Sequence, residues 1–242
     1  MAGHSRWAQV KHKKAVTDVK KGKLFSKYVR EITVAARSGP PDPAANPRLR
    51  SAIERARTGG LPKDNIERAV AKATGGGEGT ELKEFLYEAS VDGVAMLIEG
   101  ITDNTNRSLA EIRKIITEHR GRIAEPGSLA WNFKKVGTLE ITGDQNPDRT
   151  PEDIEWAIIE AGAADLQTVE GGVWMVQTPF GEREAVRRRL EQAGTNIKEA
   201  SHDYKPKNMI TLDPQERDRI HRLCDTLSEH DDVQEVYTNL TN

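Results

Sequence analysis

TLEIT at 138–142, PEDIEWAIIEA at 151–161, DLQTV at 165–169, VWMVQT at 173–178, EREAVRRRLEQ at 182–192 and NIKEASHDY at 196–204 follow one another as strand, helix, strand, strand, helix and strand. The first helical piece places Ile154, Ala157 and Ile158 on one face at three- and four-residue spacing. The two middle strands face each other across Glu170-Gly171-Gly172, a hairpin signal. Such a βαββαβ unit closes on itself and needs no strand from elsewhere.

Its flanks lack that independence. Before it, 86–89 and 94–99 read as strands around Val91-Asp92-Gly93, a helix at 108–118 carries Leu109, Ile112, Ile115 and Ile116, and 129–133 reads as extended. After it come a strand at 209–212, a helix at 214–228 with Ile220, Leu223, Cys224 and Leu227 inward, and a strand at 233–237. Neither β-α-β half covers its sheet face and its helix alone. The pattern predicts that the halves join as a second ferredoxin-like unit, interrupted by the first.

Further upstream the period is helical throughout. From Gly22, residues Phe25, Tyr28, Val29, Ile32, Ala35 and Ala36 share a face, until Ser38-Gly39-Pro40-Pro41 stops the helix. Asn46-Pro47 opens a second helix with Leu49, Ala52, Ile53 and Ala56 inward. Gly59-Gly60 ends it, and Pro62 starts a third with Ile66, Ala69, Val70 and Ala73 inward. The expected class is therefore α+β, with an N-terminal three-helix bundle plus two ferredoxin-like α/β domains, the second inserted into the first. The expected boundaries are a basic arm at 1–22, the bundle at 23–79, a discontinuous α/β domain at 80–136 and 207–242, and the inserted domain at 137–206. The glycine-rich 74–79 reads as the linker.

Charge divides along the same line. Residues 1–73 hold 17 Lys/Arg against 6 Asp/Glu, a net of +11, whereas 74–242 hold 19 against 32, a net of −13. A segment as basic as the first thirty residues repels itself on a compact surface, and a polyanion that neutralises it removes that cost. Arg6, Lys11, Lys13, Lys14, Lys20, Lys21 and Lys23 supply phosphate-directed charge, and Lys27, Arg48 and Arg50 extend it onto the bundle. Trp7 can stack on an unpaired base or dock on the bundle, and His12 can donate to phosphate. Between strand and helix, Asp103, Asn104, Asn106 and Arg107 form a polar loop that reads either as a helix cap or as a contact surface.

Other chemistry finds little support. His4 and His12 have no carboxylate or Cys ligand beside them, so no metal is expected. Gly75, Gly76, Gly77 and Gly79 follow no strand and precede no Gly-Lys-Ser/Thr, which excludes a phosphate loop. The second and third helices resemble a helix-turn-helix superficially, but Lys63, Asp64, Asn65, Glu67 and Arg68 give the reader a mixed-sign face, and an ordinary bundle fits better. Arg187-Arg188-Arg189 spreads around a helix and reads as solvated surface. Cys224, the single cysteine, falls on an apolar face and fits a reducing compartment. No nucleophile–base or paired-carboxylate constellation stands out, so no enzyme, cofactor or small-molecule substrate is expected. With no apolar run of membrane length and no secretory signal, the chain reads as cytoplasmic, and as a monomer.

The opening MAGHSRWAQVKHKKAVTDVKKGKLFSKYVREITVAAR resembles the start of the YebC/PmpR family, which includes mitochondrial translational activators of cytochrome c oxidase. NPRLRSAIERAR, LPKDNIERAV, TDNTNRSLAEIR and GSLAWNF match further family blocks in order. The resemblance implies three domains of the kind deduced above, a cytoplasmic location and no enzymatic activity. It carries two functions: a DNA-binding transcriptional regulator, or a ribosome-associated factor that helps elongation through proline-rich stretches. Where the family has Tyr-Glu-Gly-Tyr-Gly-Pro-Gly-Gly, this chain has Tyr87-Glu88-Ala89-Ser90-Val91-Asp92-Gly93, a shorter and acidic loop. The ribosomal RNA reading is preferred, because a basic arm suits irregular phosphates and splayed bases. Double-stranded DNA is the alternative, and an acidic protein adaptor with a solubilising tail is a third class.

Overall fold

A computed structural model describes residues 18–75, 81–169 and 171–241. Three helices open it: α1 (Asp18–Arg37), α2 (Pro47–Thr58) and α3 (Lys63–Thr74). Helix α1 is already formed at Asp18, the first described residue, upstream of the expected Gly22, because its polar turn there carries no apolar period to betray it. Asn46 caps α2: its side-chain oxygen accepts from the Leu49 N–H at 3.0 Å, while its amide donates to the Ala35 and Pro40 carbonyls at 2.9 Å. One asparagine thus starts α2 and fastens it to the end of α1. Tyr28, Ile32, Leu49, Ala56, Leu61 and Ile66 fill the space between the helices.

The chain continues through β1 (Lys83–Val91), β2 (Val94–Thr102), α4 (Thr105–Glu118), β3 (Arg122–Ala124) and β4 (Phe133–Thr142). Then follow α5 (Pro151–Glu160), β5 (Asp165–Val169), β6 (Val173–Pro179), α6 (Arg183–Gln192), β7 (Glu199–Pro206), α7 (Pro214–Ser228) and β8 (Val233–Thr238). Two antiparallel sheets result, ordered β3-β1-β2-β8 and β5-β6-β4-β7. The second order is that of a ferredoxin-like βαββαβ unit, and its chain lies wholly between the two parts of the first. Each sheet is covered by two helices. Met96, Ile98, Ile112, Ile116, Leu223 and Leu227 form one core, and Leu139, Ile141, Ile154, Ile158, Val176 and Leu190 the other.

Several local expectations change. The short β3 goes unread in the sequence, because three half-exposed residues give no alternation to detect. The stretch 209–212 is not a strand but makes a single parallel bridge, Ile210 to Leu240. Residues Ala130–Asn132 form a 3-10 turn where extended chain was expected. The shortened loop at 92–93 is a two-residue hairpin turn, with φ of 50° at Asp92 and 80° at Gly93 and Val91 paired to Val94.

Strand β4 is longer than its predicted core segment, and the extra length has a purpose. Its first residue, Phe133, leaves the inserted unit and packs with Ala95, Leu97 and Tyr237 on the helix-free face of the other sheet. One strand therefore belongs to two cores.

Candidate nucleic-acid interface

The expected site residues divide sharply by what the fold has done with them. Arg6, Trp7, Lys11, His12, Lys13 and Lys14 lie outside the described residues, as does the side chain of Lys20, whose backbone is helical in α1. Lys21 lies exposed on α1. The next cations on this helix turn inward, towards the C-terminal end of α7.

Lys23 donates to the Glu229 carbonyl at 3.2 Å and sits 3.8 Å from Asp231. Lys27 is buried and donates to the Ser228 carbonyl at 2.6 Å. Arg30 donates to the Asp231 carbonyl and pairs with Asp232 at 3.0 Å. Helix C-termini leave carbonyls without intrahelical partners and carry partial negative charge, so a row of cations is their natural complement. Desolvation pulls the Lys27 ammonium down to about 8, against the opposing charges of Glu235 and Asp231.

Helix α2 is tied in the same manner. Arg48 pairs with Glu84 on β1, Arg50 with Glu184 on α6 at 2.6 Å, and Arg55 with Glu31 at 3.1 Å and Glu199 at 3.3 Å. Arg187 corrects the sequence reading of a solvated arginine run. It is 5% exposed and grips Glu54 of α2 through both terminal nitrogens, at 2.9 and 2.6 Å, with Glu191 on its Nε. A planar fork against a carboxylate fixes orientation as well as distance. The bundle is thus clamped to both α/β units by charged pairs.

The polar loop resolves into a cap and an anchor. The Asn104 side chain accepts from the Arg107 N–H at 3.1 Å and starts α4. Arg107 reaches Asp103 at 2.8 Å and Asp232 at 2.9 Å, while Asn106 stays exposed. Asp232 is the residue that sequence reasoning missed. Its buried carboxylate also accepts from Ser108 at 2.6 Å and Thr102 at 3.1 Å. Burial alone would raise its pKa; hydrogen bonds from Ser108, Arg107 and Thr102 and the charge of Arg30 outweigh that and hold it below the usual carboxylate value. Glu111 and His230 complete a three-residue group with Asp232. With two guanidiniums already on Asp232, that group is a poor cation site.

Where bundle and both sheets meet, a polar cavity of about 80 Å³ is lined by Glu31, Arg55, Glu99, His202, Glu235 and Tyr237. It is far smaller than the several hundred Å³ a metabolite needs. Glu99 accepts from His202 at 2.9 Å and from the Tyr237 hydroxyl at 3.2 Å, joining the two sheets.

What the geometry defines is a class: a three-unit α+β protein, basic in its N-terminal sequence, with no nucleophile–base constellation assembled among the described residues. A family model described as the N-terminal domain of TACO1/YebC protein matches residues 5–76, and one described as the second and third domain of TACO1/YebC matches 82–240. The chain belongs to the TACO1/YebC family. A probable transcriptional regulatory protein of Chlorobium luteolum is 43% identical over 241 residues, covering 99% of this chain and 95% of that one. Another so described, from Methylacidiphilum infernorum, is 44% identical over 242 residues with the same coverage. Among solved structures, that of the conserved hypothetical protein Aq1575 from Aquifex aeolicus matches with a TM-score of 0.86 at 39% identity, over 98% of this chain and 96% of that one.

Proposed function

We propose that this protein is a nucleic-acid-binding regulator that grips its target with the basic arm, and that the target is structured RNA on the ribosome. The carrying observation is the fate of the head's cations. Lys23, Lys27, Arg30, Arg48, Arg50 and Arg55 are committed to internal acceptors. Residues 1–17, by contrast, contain Arg6, Lys11, Lys13 and Lys14 with no acidic residue. In α3, the position of a groove-reading helix, Lys63 pairs with Glu67 at 3.5 Å and Arg68 bonds Asp64 and Asn65. An arm without a free reading helix favours crowded phosphates and unpaired bases over a regular duplex. In this reading the factor assists elongation through proline-rich stretches, acts in the cytoplasm as a monomer, and performs no catalysis.

The second reading is a transcriptional regulator that binds double-stranded DNA with the same arm. The description shared by the relatives favours it.

Sedimentation with intact ribosomes and with separated subunits, against a titration of duplex DNA, distinguishes the two. Six cations on phosphate give log K falling with log salt at a slope of roughly −4 to −5. Saturable ribosome binding that vanishes on deletion of residues 1–17 supports the first reading. Failure to sediment, with sequence-selective duplex binding, overturns it in favour of the second.

A further inference from the structure

Trp131 is 62% exposed, and the fold holds it there. Glu88, on β1 and only 4% exposed, sends its carboxylate into the loop that precedes it. One oxygen accepts from the Gly127 N–H at 2.5 Å, the other from Leu129 and Ala130 at 2.6 and 2.9 Å. Three charge-assisted bonds fix the turn, which Gly127 completes with a φ of 84°. The indole N–H is already donated to the Ser128 carbonyl at 2.8 Å. What Trp131 offers outward is therefore a ring face and not a hydrogen bond. Behind it, Lys207 donates to the Trp131 carbonyl at 2.6 Å, and Asn132 accepts from both the backbone and the side chain of Asn208.

The two chain segments that flank it are opposite in charge to the body, although the turn itself carries the exposed Glu125. Residues 131–135 and 204–208, WNFKK and YKPKN, hold four lysines and no carboxylate, inside a region of net charge −13. Lys134 and Lys205 stand directly opposite each other in the β4–β7 ladder, a like-charge pairing that costs free energy. Asp165 relieves Lys205 at 3.0 Å, while Lys134 stays exposed. The other exposed tryptophan among the described residues has different neighbours: around Trp156 on α5 stand Glu152, Asp153 and Glu160, which repel phosphate.

The geometry points to Trp131 as a stacking platform for an unpaired base of single-stranded nucleic acid, with Lys134 and Lys207 addressing the flanking phosphates. This inference rests on the nucleic-acid-binding reading and adds a contact remote from the point where α1 docks on Asp232. Asn208, beside the platform, bonds Asn239, which pairs with Ala95 near the start of β2. Asp232, which holds the head, lies at Ile101 near the end of β2. About seven strand residues, on the order of 20 Å, separate the two ends.

The test is fluorescence anisotropy of a fluorescein-labelled twelve-nucleotide oligouridylate with the full-length protein. Trp131→Ala weakens binding about tenfold, Trp131→Phe retains most of it, and Lys134→Gln flattens the salt slope by roughly 0.7. In a background carrying Trp7→Phe and Trp156→Phe, RNA quenches indole emission, and adding Trp131→Phe abolishes the quenching. Trp131→Ala is a surface change, so an unaltered unfolding midpoint confirms that the loss is one of contact. If deletion of residues 1–17 abolishes RNA binding while Trp131→Ala leaves affinity and quenching unchanged, the platform alone is overturned, and the ring belongs to a protein contact. If the wild-type protein binds neither oligonucleotide, ribosome nor duplex, both readings fall.

Discussion

Arg30 and Asp232 lie 3.0 Å apart, with the Asp232 side chain only 3% exposed, and the second oxygen of the same carboxylate holds Arg107. One buried anion is thus shared by a guanidinium from the bundle and another from the first turn of α4, just after the 102–104 loop. The orientation of the head and the order of that loop depend on the same group. Asp232→Asn leaves two arginines facing a neutral amide, and it should lower stability by about 2–4 kcal/mol. A double-mutant cycle with Arg30→Ala in a urea titration checks this; a coupling near zero would show the contact to be incidental.

The pH dependence of that group has a definite sign. Its folded pKa is depressed, so its contribution is complete above the unfolded value of about 3.9 and disappears as pH falls through the lower folded value. The acid limb of the stability curve below about pH 4 should be shallower in Asp232→Asn than in the wild type. Parallel denaturant titrations from pH 2 to 6 measure it.

Lys27 titrates at the other extreme. Its folded value near 8 lies below the ordinary lysine value of 10.5, so the unfolded chain binds the proton more tightly, and stability rises with pH between these limits. Subtracting the Lys27→Met curve from that of the wild type isolates the effect, which reaches about 3 kcal/mol across the window. A flat difference from pH 8 to 10 would contradict it.

Two glycines of the bundle should respond in opposite directions to alanine. A Cβ on Gly59 would meet the Tyr28 ring at 2.3 Å, and Gly59→Ala should cost about 1–3 kcal/mol. Gly22 has nothing within 4 Å of that position and lies inside α1, so Gly22→Ala should add about 0.5–1 kcal/mol. Thermal unfolding of the two variants side by side decides both.

Glu88→Gln should loosen the 127–130 turn without unfolding the sheet. The neutral amide accepts more weakly, and a cost of about 1–2 kcal/mol follows. Amide exchange at Gly127, Leu129 and Ala130 should accelerate, while Ile98 in the centre of β2 stays protected. Unchanged exchange at all three would show that the loop holds itself.

Architecture was more legible in the sequence than the site. Ile154, Ala157 and Ile158, or Leu223, Cys224 and Leu227, announce their helix face through spacing alone, and Asn46-Pro47 announces a helix start. The fate of individual charges left no such trace. Nothing local separates Lys21, exposed on α1, from Lys27, buried six residues later, because the carbonyls that receive Lys27 lie 201 positions away at Ser228. Arg187 was misjudged for the same reason: its carboxylate partner is on α2. Glu88 reads in the sequence as one more residue of the 87–93 stretch, since the three N–H groups it accepts from reach it only after β1 and the 127–130 turn have met.

The interrupted sheet also sets an order of events during synthesis. Helix α7 and strand β8 emerge after everything they must join, and with them come Ser228, Asp231 and Asp232, the acceptors for Lys27 and Arg30. Until then the bundle can fold around its own apolar contacts, yet its inward cations have no counterpart to hold them. A nascent or C-terminally shortened chain therefore presents more positive charge, less directed, than the finished molecule. Closing the last strand does more than complete a core: it withdraws those cations from circulation.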